Sequence, residues 1–209
     1  MIFSRTPLRI SIGGGGTDLP SYYSRFGGFV ITAAIDRYIY IALHKIFPPT
    51  YIIKYSILET TETVDEIKHP IVREAFKMHG IQPKIEMVSM SDIPAGTGLG
   101  SSGAFNVGLL RGIYHMKREH IGTQALAEEA CHIEIDRLKE PVGKQDQYVA
   151  AFGGIICMEI DKDGSVRVSP LRISTETLHD LEDNLLLFFT GYSRSASTVL
   201  ADQKQKSEN

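Results

Sequence analysis

The sequence predicts an α+β fold in which a mixed, largely antiparallel sheet carries helices. Three observations predict it. Residues 5–12 alternate in polarity, and residues 28–46 hold the densest β-branched and aromatic content of the chain, both marks of strands. Residues 155–160 and 166–171 flank Asp161-Lys162-Asp163-Gly164, a hairpin signal. Between these blocks, residues 104–116 and 123–139 are apolar enough for two buried helices.

Each element has its own justification. The first strand runs over residues 5–12 and ends in Gly13-Gly14-Gly15-Gly16-Thr17-Asp18. Consecutive glycines favour neither strand nor helix, so the tract makes sense where a ligand rests against bare backbone. A flexible turn with Asp18 capping a helix start is the plainer alternative. Residues 28–46 read as two strands with Asp36-Arg37 near their turn, stopped by Pro48-Pro49, and residues 51–56 read as another. Residues 59–68 are polar and read as a loop; His69-Pro70 opens a short helix over 71–79, ended by Gly80. A strand over 84–90 then leads into the loop 93–104. Thr123 is placed to cap the helix over 123–139, which Pro141 and Gly143 end. On that helix Ala127, Cys131, Glu134 and Leu138 share one stripe, so Glu134 falls at a core position. A carboxylate there needs a cation, a hydrogen-bond partner or a shifted pKa; a structural salt bridge and a metal ligand are both open. A short helix over 144–151 carries Asp146 in its first turn, where the dipole favours an acid. A helix over 175–183 and an apolar strand over 185–190 come next, then a polar helix from Gly191 onward.

Composition narrows the function. The 209 residues carry a net charge of −3, so bulk electrostatics recruits neither nucleic acid nor an anionic membrane. No apolar run reaches the roughly 18 residues of a spanning helix, and residues 1–7 lack the apolar core of a secretory signal. Cys131 and Cys157 have no metal-ligand spacing and sit in apolar segments, which suits reduced, buried thiols and a cytoplasmic location.

Chemistry concentrates in the central loop, where four glycines and two serines fall within residues 96–103. A loop so poor in Cβ atoms turns its N–H groups inward at a helix N-terminus, where an anion is favoured. It is not a Walker A loop, because no lysine follows the glycines. Gly98-Leu99-Gly100-Ser101-Ser102-Gly103 formally fits the dinucleotide pattern G-x-G-x-x-G, but that motif should open the first βαβ unit of a parallel sheet, and antiparallel hairpin patterns precede it here.

The run Pro94-Ala95-Gly96-Thr97-Gly98-Leu99-Gly100-Ser101-Ser102-Gly103-Ala104 resembles the central motif of the GHMP kinases, the family of galactokinase, homoserine kinase, mevalonate kinase and phosphomevalonate kinase. Arg5 through Asp18 resembles the family's first motif, in the glycine-rich version of kinases acting on D-glycero-D-manno-heptose 7-phosphate. Lys144-Gln145-Asp146-Gln147-Tyr148 with Phe152-Gly153-Gly154 resembles the segment bearing the catalytic aspartate. The resemblance spans residues 5 to about 200.

The resemblance implies an N-terminal ATP- and sugar-binding domain over residues 1–174, with a ribosomal-protein-like arrangement, and the incomplete beginning of a ferredoxin-like second domain over 175–209. Pro94, Gly96, Gly98, Leu99, Gly100, Ser101, Ser102 and Gly103 would cradle the ATP phosphates, and Ser102 with Glu134 would hold Mg²⁺. Asp146 would take the proton of the attacking hydroxyl, supported by Arg9. Gly14, Gly15, Thr17 and Asp18 would line the sugar site. Arg194, in a Ser-Arg-Ser setting, would reach a phosphate on the substrate. The reaction implied is ATP-dependent phosphorylation of a sugar or sugar phosphate, foremost the anomeric hydroxyl of the heptose 7-phosphate. Fucose- and galactose-type kinases, a catalytically silent nucleotide- or sugar-binding module, and an oxidoreductase using the G-x-G-x-x-G look-alike are the alternatives. No nucleic-acid or membrane partner is expected, and a homodimer is left open. The sequence stops before the family's third, C-terminal glycine-rich motif, so either a fragment of a longer enzyme or a short reading frame with weak or absent catalysis is expected.

Overall fold

The computed structural model describes residues 1–188 and 191. Seven strands form one sheet: β1 (Ile2–Gly13), β2 (Gly28–Lys45), β3 (Tyr51–Lys54), β4 (Leu58–Thr61), β5 (Ile85–Ser91), β6 (Ile155–Ile160) and β7 (Val166–Pro170). Among the described residues six α-helices accompany them: α1 (Pro20–Phe26), α2 (Pro70–Met78), α3 (Ser101–Lys117), α4 (Thr123–Cys131), α5 (Gln145–Phe152) and α6 (Thr175–Asp183). The sheet order is β4-β3-β5-β2-β6-β7, with β1 paired to β2. Only β3 and β5 run parallel; every other pair is antiparallel. The expected α+β class and mixed sheet are what the structure shows.

β2 departs from expectation. Residues 28–45 form one strand of 18 residues, not two strands with a turn at Asp36-Arg37. Pairing overrides the local turn signal, because β1 runs beside most of β2 while β6 takes its first residues and β5 its last. The polar pair is absorbed in a bulge. Pro7 faces Tyr38 and Arg9 faces Ala34, so Ile35, Asp36 and Arg37 stand opposite Leu8 alone.

Helices cover one face of this sheet. Leu8, Ile41, Leu43, Ile53 and Met87 from the strands meet Phe76, Leu109, Leu110 and Ile113 from α2 and α3, all with at most 1% exposure. A second cluster joins Val30 and Met158 to Ala127 of α4 and Val149 of α5. α3 is buried nearly all round between Gly103 and Ile113, which explains an apolar stretch with no polar face.

Other boundaries move for local reasons. The polar stretch over 59–68 is not a plain loop: β4 pairs with β3, and Val64–Glu66 is a 3-10 turn closed by a capping box between Thr63 and Glu66. Gly122, rather than Thr123, is the N-cap of α4. The helix expected over 123–139 changes character at Cys131, and His132–Arg137 is a π-helix containing Glu134. Leu185, Leu186, Leu187 and Phe188 are exposed and irregular where the apolar strand was expected, since no described strand pairs with them. Residues 189–190 of that strand, the polar helix after Gly191, and Arg194 lie outside the described residues. Both cysteines are free; Cys131 is buried and Cys157 half-buried. No helix among the described residues is long and apolar enough to cross a membrane.

Candidate active site

The loop between β5 and α3 opens onto a cavity of about 1160 Å³, walled by β5, the loop, and the starts of α2, α3 and α5. Gly96, Gly98 and Gly100 have φ of 78°, 78° and 73°, a left-handed backbone that residues with a Cβ adopt only at a penalty. Gly100 is the N-cap of α3 and no side chain caps the helix, so its first N–H groups lack an intrahelical acceptor. They meet the cavity at the positive end of a 17-residue helix. Pro94, Gly96, Gly98, Gly100, Ser101 and Ser102 line the cavity. Leu99 does not; it packs against the core. Gly103 does not either: a Cβ there would lie 2.6 Å from Asp146 Cβ, so this glycine lets α3 and α5 touch.

Arg9 joins loop and acid. Its Nε donates to Asp146 Oδ1 at 2.7 Å and its Nη2 lies 2.6 Å from the same oxygen, while Nη1 donates to the Gly98 carbonyl at 2.7 Å. The Arg9 backbone N–H also donates to the Leu99 carbonyl at 3.0 Å. Both Arg9 contacts with the acid fall on Oδ1, so Oδ2 is left free of the arginine. Burial pushes the Asp146 carboxyl above its ordinary value; the charge and hydrogen bonds of Arg9 pull it back, and nearby Asp18 adds to the rise.

Glu134, 2% exposed, stands beside the loop. Its Oε2 accepts from Ser102 Oγ at 2.7 Å, and its Oε1 accepts from Asn106 Nδ2 at 3.1 Å and Gln147 Nε2 at 3.0 Å. No salt bridge among the described residues holds it. Burial raises its pKa, opposed by these three donors. Ser102 Oγ and Glu134 Oε2 form a pair of hard oxygen donors at the cavity wall. That set fits Mg²⁺, which is commonly held by one or two protein oxygens plus water and substrate phosphates. Among the described residues no cluster of three or more His, Cys, Asp or Glu side chains offers a complete metal cage.

The glycine tract contributes less than its sequence promised. Gly16 and Asp18 line the cavity, whereas Gly14, Gly15 and Thr17 are not part of its lining. The Thr17 hydroxyl is occupied by the backbone of Gly14 and Phe29. Asp18, 1% exposed, accepts from the N–H groups of Gly16 at 3.2 Å and Gln145 at 3.0 Å. It thus ties the tract to α5. A Cβ on Gly143 would sit 2.0 Å from Asp18 Oδ2, which explains the glycine just before α5. Arg9 is the only lysine or arginine among the described residues that line the cavity.

Sequence reasoning missed another part of the lining, formed by Tyr55, His69 and Phe105. The His69 ring stacks on Phe105 at 4.6 Å and meets Tyr55 edge-on at 4.8 Å. Burial pushes the His69 pKa down to about 4, so the ring is neutral at physiological pH. Glu59 fixes this wall by accepting from Tyr55 Oη at 2.6 Å and from the N–H groups of Lys68 and His69. No local signal marked these residues, which come from a strand end, a helix start and a helix interior.

This is an α+β domain in which a glycine-rich helix N-terminus and an arginine-bound carboxylate line one cavity. Residues 65–154 match the family model described as GHMP kinases N terminal domain. The chain is 32% identical to the D-glycero-alpha-D-manno-heptose 7-phosphate kinase of Campylobacter jejuni over 98% of this chain and 64% of that protein. It is 27% identical to the galactokinase of Pyrococcus furiosus over 98% of this chain and 57% of that protein. The chain therefore spans less than two thirds of these curated relatives. The crystal structure of a D-glycero-D-manno-heptose 1-phosphate kinase from Bacteroides thetaiotaomicron superposes with a TM-score of 0.83 at 26% identity, over 99% of this chain and 71% of that one. A mevalonate kinase structure shares the fold at a TM-score of 0.63 and 16% identity, over 88% of this chain and 59% of that one.

Proposed function

We propose that the chain serves ATP-dependent phosphorylation of a sugar, foremost the anomeric hydroxyl of a D-glycero-D-manno-heptose 7-phosphate. One observation carries this reading: a single arginine, Arg9, binds both the anion loop at Gly98 and the acid Asp146. A phosphate on the loop and a hydroxyl on Asp146 would therefore be neighbours, which is what transfer between them requires. The similarity to the Campylobacter heptose 7-phosphate kinase favours the heptose over other sugars.

In this reading the loop amides and Ser101 bind the ATP phosphates and Asp18 accepts hydrogen bonds from sugar hydroxyls. Asp146 takes the hydroxyl proton on Oδ2 while Arg9 holds Oδ1. Arg9 also places positive charge near the oxygens on which charge builds up. Ser102 and Glu134 would hold Mg²⁺, which when bound neutralises phosphate charge. Tyr55, His69 and Phe105 offer the flat, uncharged surface a purine ring requires. Arg194 is proposed to meet the substrate's own phosphate. The two free cysteines suit a cytoplasmic location for this kinase, and the reading requires no nucleic-acid or membrane partner.

The test is ATP consumption by the purified protein with heptose 7-phosphate, fucose and galactose as acceptors. Turnover with the heptose phosphate alone is the expected outcome. Turnover restricted to a neutral sugar would replace the substrate. Nucleotide binding without turnover on any acceptor would reduce the chain to a binding module.

A further inference from the structure

The two amide side chains around Glu134 are not accounted for by the transfer chemistry. Asn106 has no exposed surface and Gln147 is 1% exposed. Each points its NH₂ group at the same carboxylate oxygen, Glu134 Oε1, at 3.1 Å and 3.0 Å. Asn106 is anchored further by donating to the Ala130 carbonyl at 2.9 Å. This arrangement leaves Asn106 Oδ1 and Gln147 Oε1 buried with no hydrogen-bond partner. Buried acceptors without partners are rare because each has given up water for nothing. Turning either amide over would set its oxygen against the carboxylate, so the orientation is forced by Glu134. The fold thus tolerates two unsatisfied oxygens in order to occupy one oxygen of Glu134 twice.

The consequence concerns geometry. With Oε1 taken by two donors, only Oε2 remains, and it already faces Ser102 Oγ. A carboxylate so restricted binds a cation through one oxygen. Mg²⁺ suits that mode, since it demands a small octahedral shell and keeps several waters. Ca²⁺ takes six to eight oxygens and readily uses both of a carboxylate. The supporting residues sit on regular elements: Glu134 lies in the π-helix, and Gln147 follows Asp146 in the first turn of α5.

We propose that Asn106 and Gln147 are positioning residues that hold Glu134 to a single metal-facing oxygen and thereby set the preference of this site for Mg²⁺ over Ca²⁺. The inference rests on the metal role proposed above for Ser102 and Glu134. Its test reads metal binding directly. Mn²⁺ bound to the purified protein with a non-hydrolysable ATP analogue is followed by electron paramagnetic resonance, then displaced by Mg²⁺ or by Ca²⁺. Gln147→Met and Asn106→Leu keep the volume and remove the donor. Both are expected to weaken Mg²⁺ by about tenfold or more, the range seen when groups supporting a metal ligand are lost. Ca²⁺ should weaken less, so the ratio between the two narrows. Thermal melting checks that each variant is folded. Should either fail to fold, Gln147→Asn, which keeps the amide but shortens its reach, carries the same expectation. An unchanged Mg²⁺ to Ca²⁺ ratio in folded variants overturns the inference and leaves the kinase reading standing. Mn²⁺ held by the unaltered protein no more tightly than by the nucleotide analogue alone overturns the metal role of Ser102 and Glu134, and the inference with it.

Discussion

The cavity wall around Arg9, Asp146 and Glu134 presents charge and directed hydrogen bonds, whereas the wall around Tyr55, His69 and Phe105 presents packed rings, which Glu59 anchors by hydrogen bonds. On the first wall, both carboxylates are buried enough to lie above their ordinary pKa, and each is steadied by named donors. On the second, burial strips the charge from His69. Both use desolvation, to opposite ends. Near the carboxylates it keeps proton affinity high in groups that remain ionisable; at the rings it makes a titratable side chain behave as a flat neutral surface. A site divided in this way suits a ligand with an anionic end and an aromatic end.

The sharpest way to break the division is to remove the acid. Asp146→Asn is expected to lower kcat by ~10²–10⁴-fold, the usual contribution of a general base, with nucleotide binding nearly intact; steady-state kinetics beside an equilibrium binding assay checks it. Unchanged turnover would remove Asp146 from the base role. Next in size, Glu134→Gln is expected to raise the Mg²⁺ concentration giving half-maximal rate by about tenfold or more, as read by a magnesium titration at saturating ATP. On the aromatic wall, Phe105→Ala is expected to weaken an ATP analogue by about tenfold, the scale of one lost base–ring stack, while leaving the affinity for inorganic triphosphate unaltered. Equal losses for both ligands would show the rings to be core alone.

The smallest expected effect concerns pH. His69 has a folded pKa of about 4 against an ordinary 6.5, so between those values the unfolded chain binds more protons than the folded one. Its contribution to stability is therefore whole above about pH 6.5 and declines as pH falls toward 4. In His69→Phe that part of the melting-temperature profile is expected to flatten, as measured by thermal denaturation across the window. An unaltered slope would mean that the ring is not neutral by burial.

The same division governs what could be read from the chain. The charged wall was legible because its parts announce themselves locally: glycines with serines at a helix start, an acid in a first turn, a carboxylate on an apolar stripe. Asp18 was legible as a carboxylate beside a bare glycine surface, whereas its burial against α5 and the closure of Thr17 onto Phe29 depend on partners outside the tract. The aromatic wall was not legible. Tyr55, His69 and Phe105 come from a strand end, a helix start and a helix interior, and nothing local distinguishes them from core residues. Asn106 and Gln147 were hidden for a related reason, since an amide matters here only through Glu134, 28 and 13 residues away in sequence. The strands were mostly legible by alternation. β2 was misread because its continuity is decided by partners far along the chain, while the turn signal of Asp36-Arg37 is local.

The Arg9 contacts to Gly98 and Leu99 also bear on the thermodynamics of ligand entry. Two adjacent carbonyls of the glycine-rich loop are already bonded to β1, one through the guanidinium and one through the backbone amide. A chain with so many glycines would otherwise be the most entropically expensive part of the molecule to order. Here that ordering is completed when the sheet forms, so a phosphate bound as proposed would meet a preassembled cradle, with little of its binding free energy diverted to immobilising the loop.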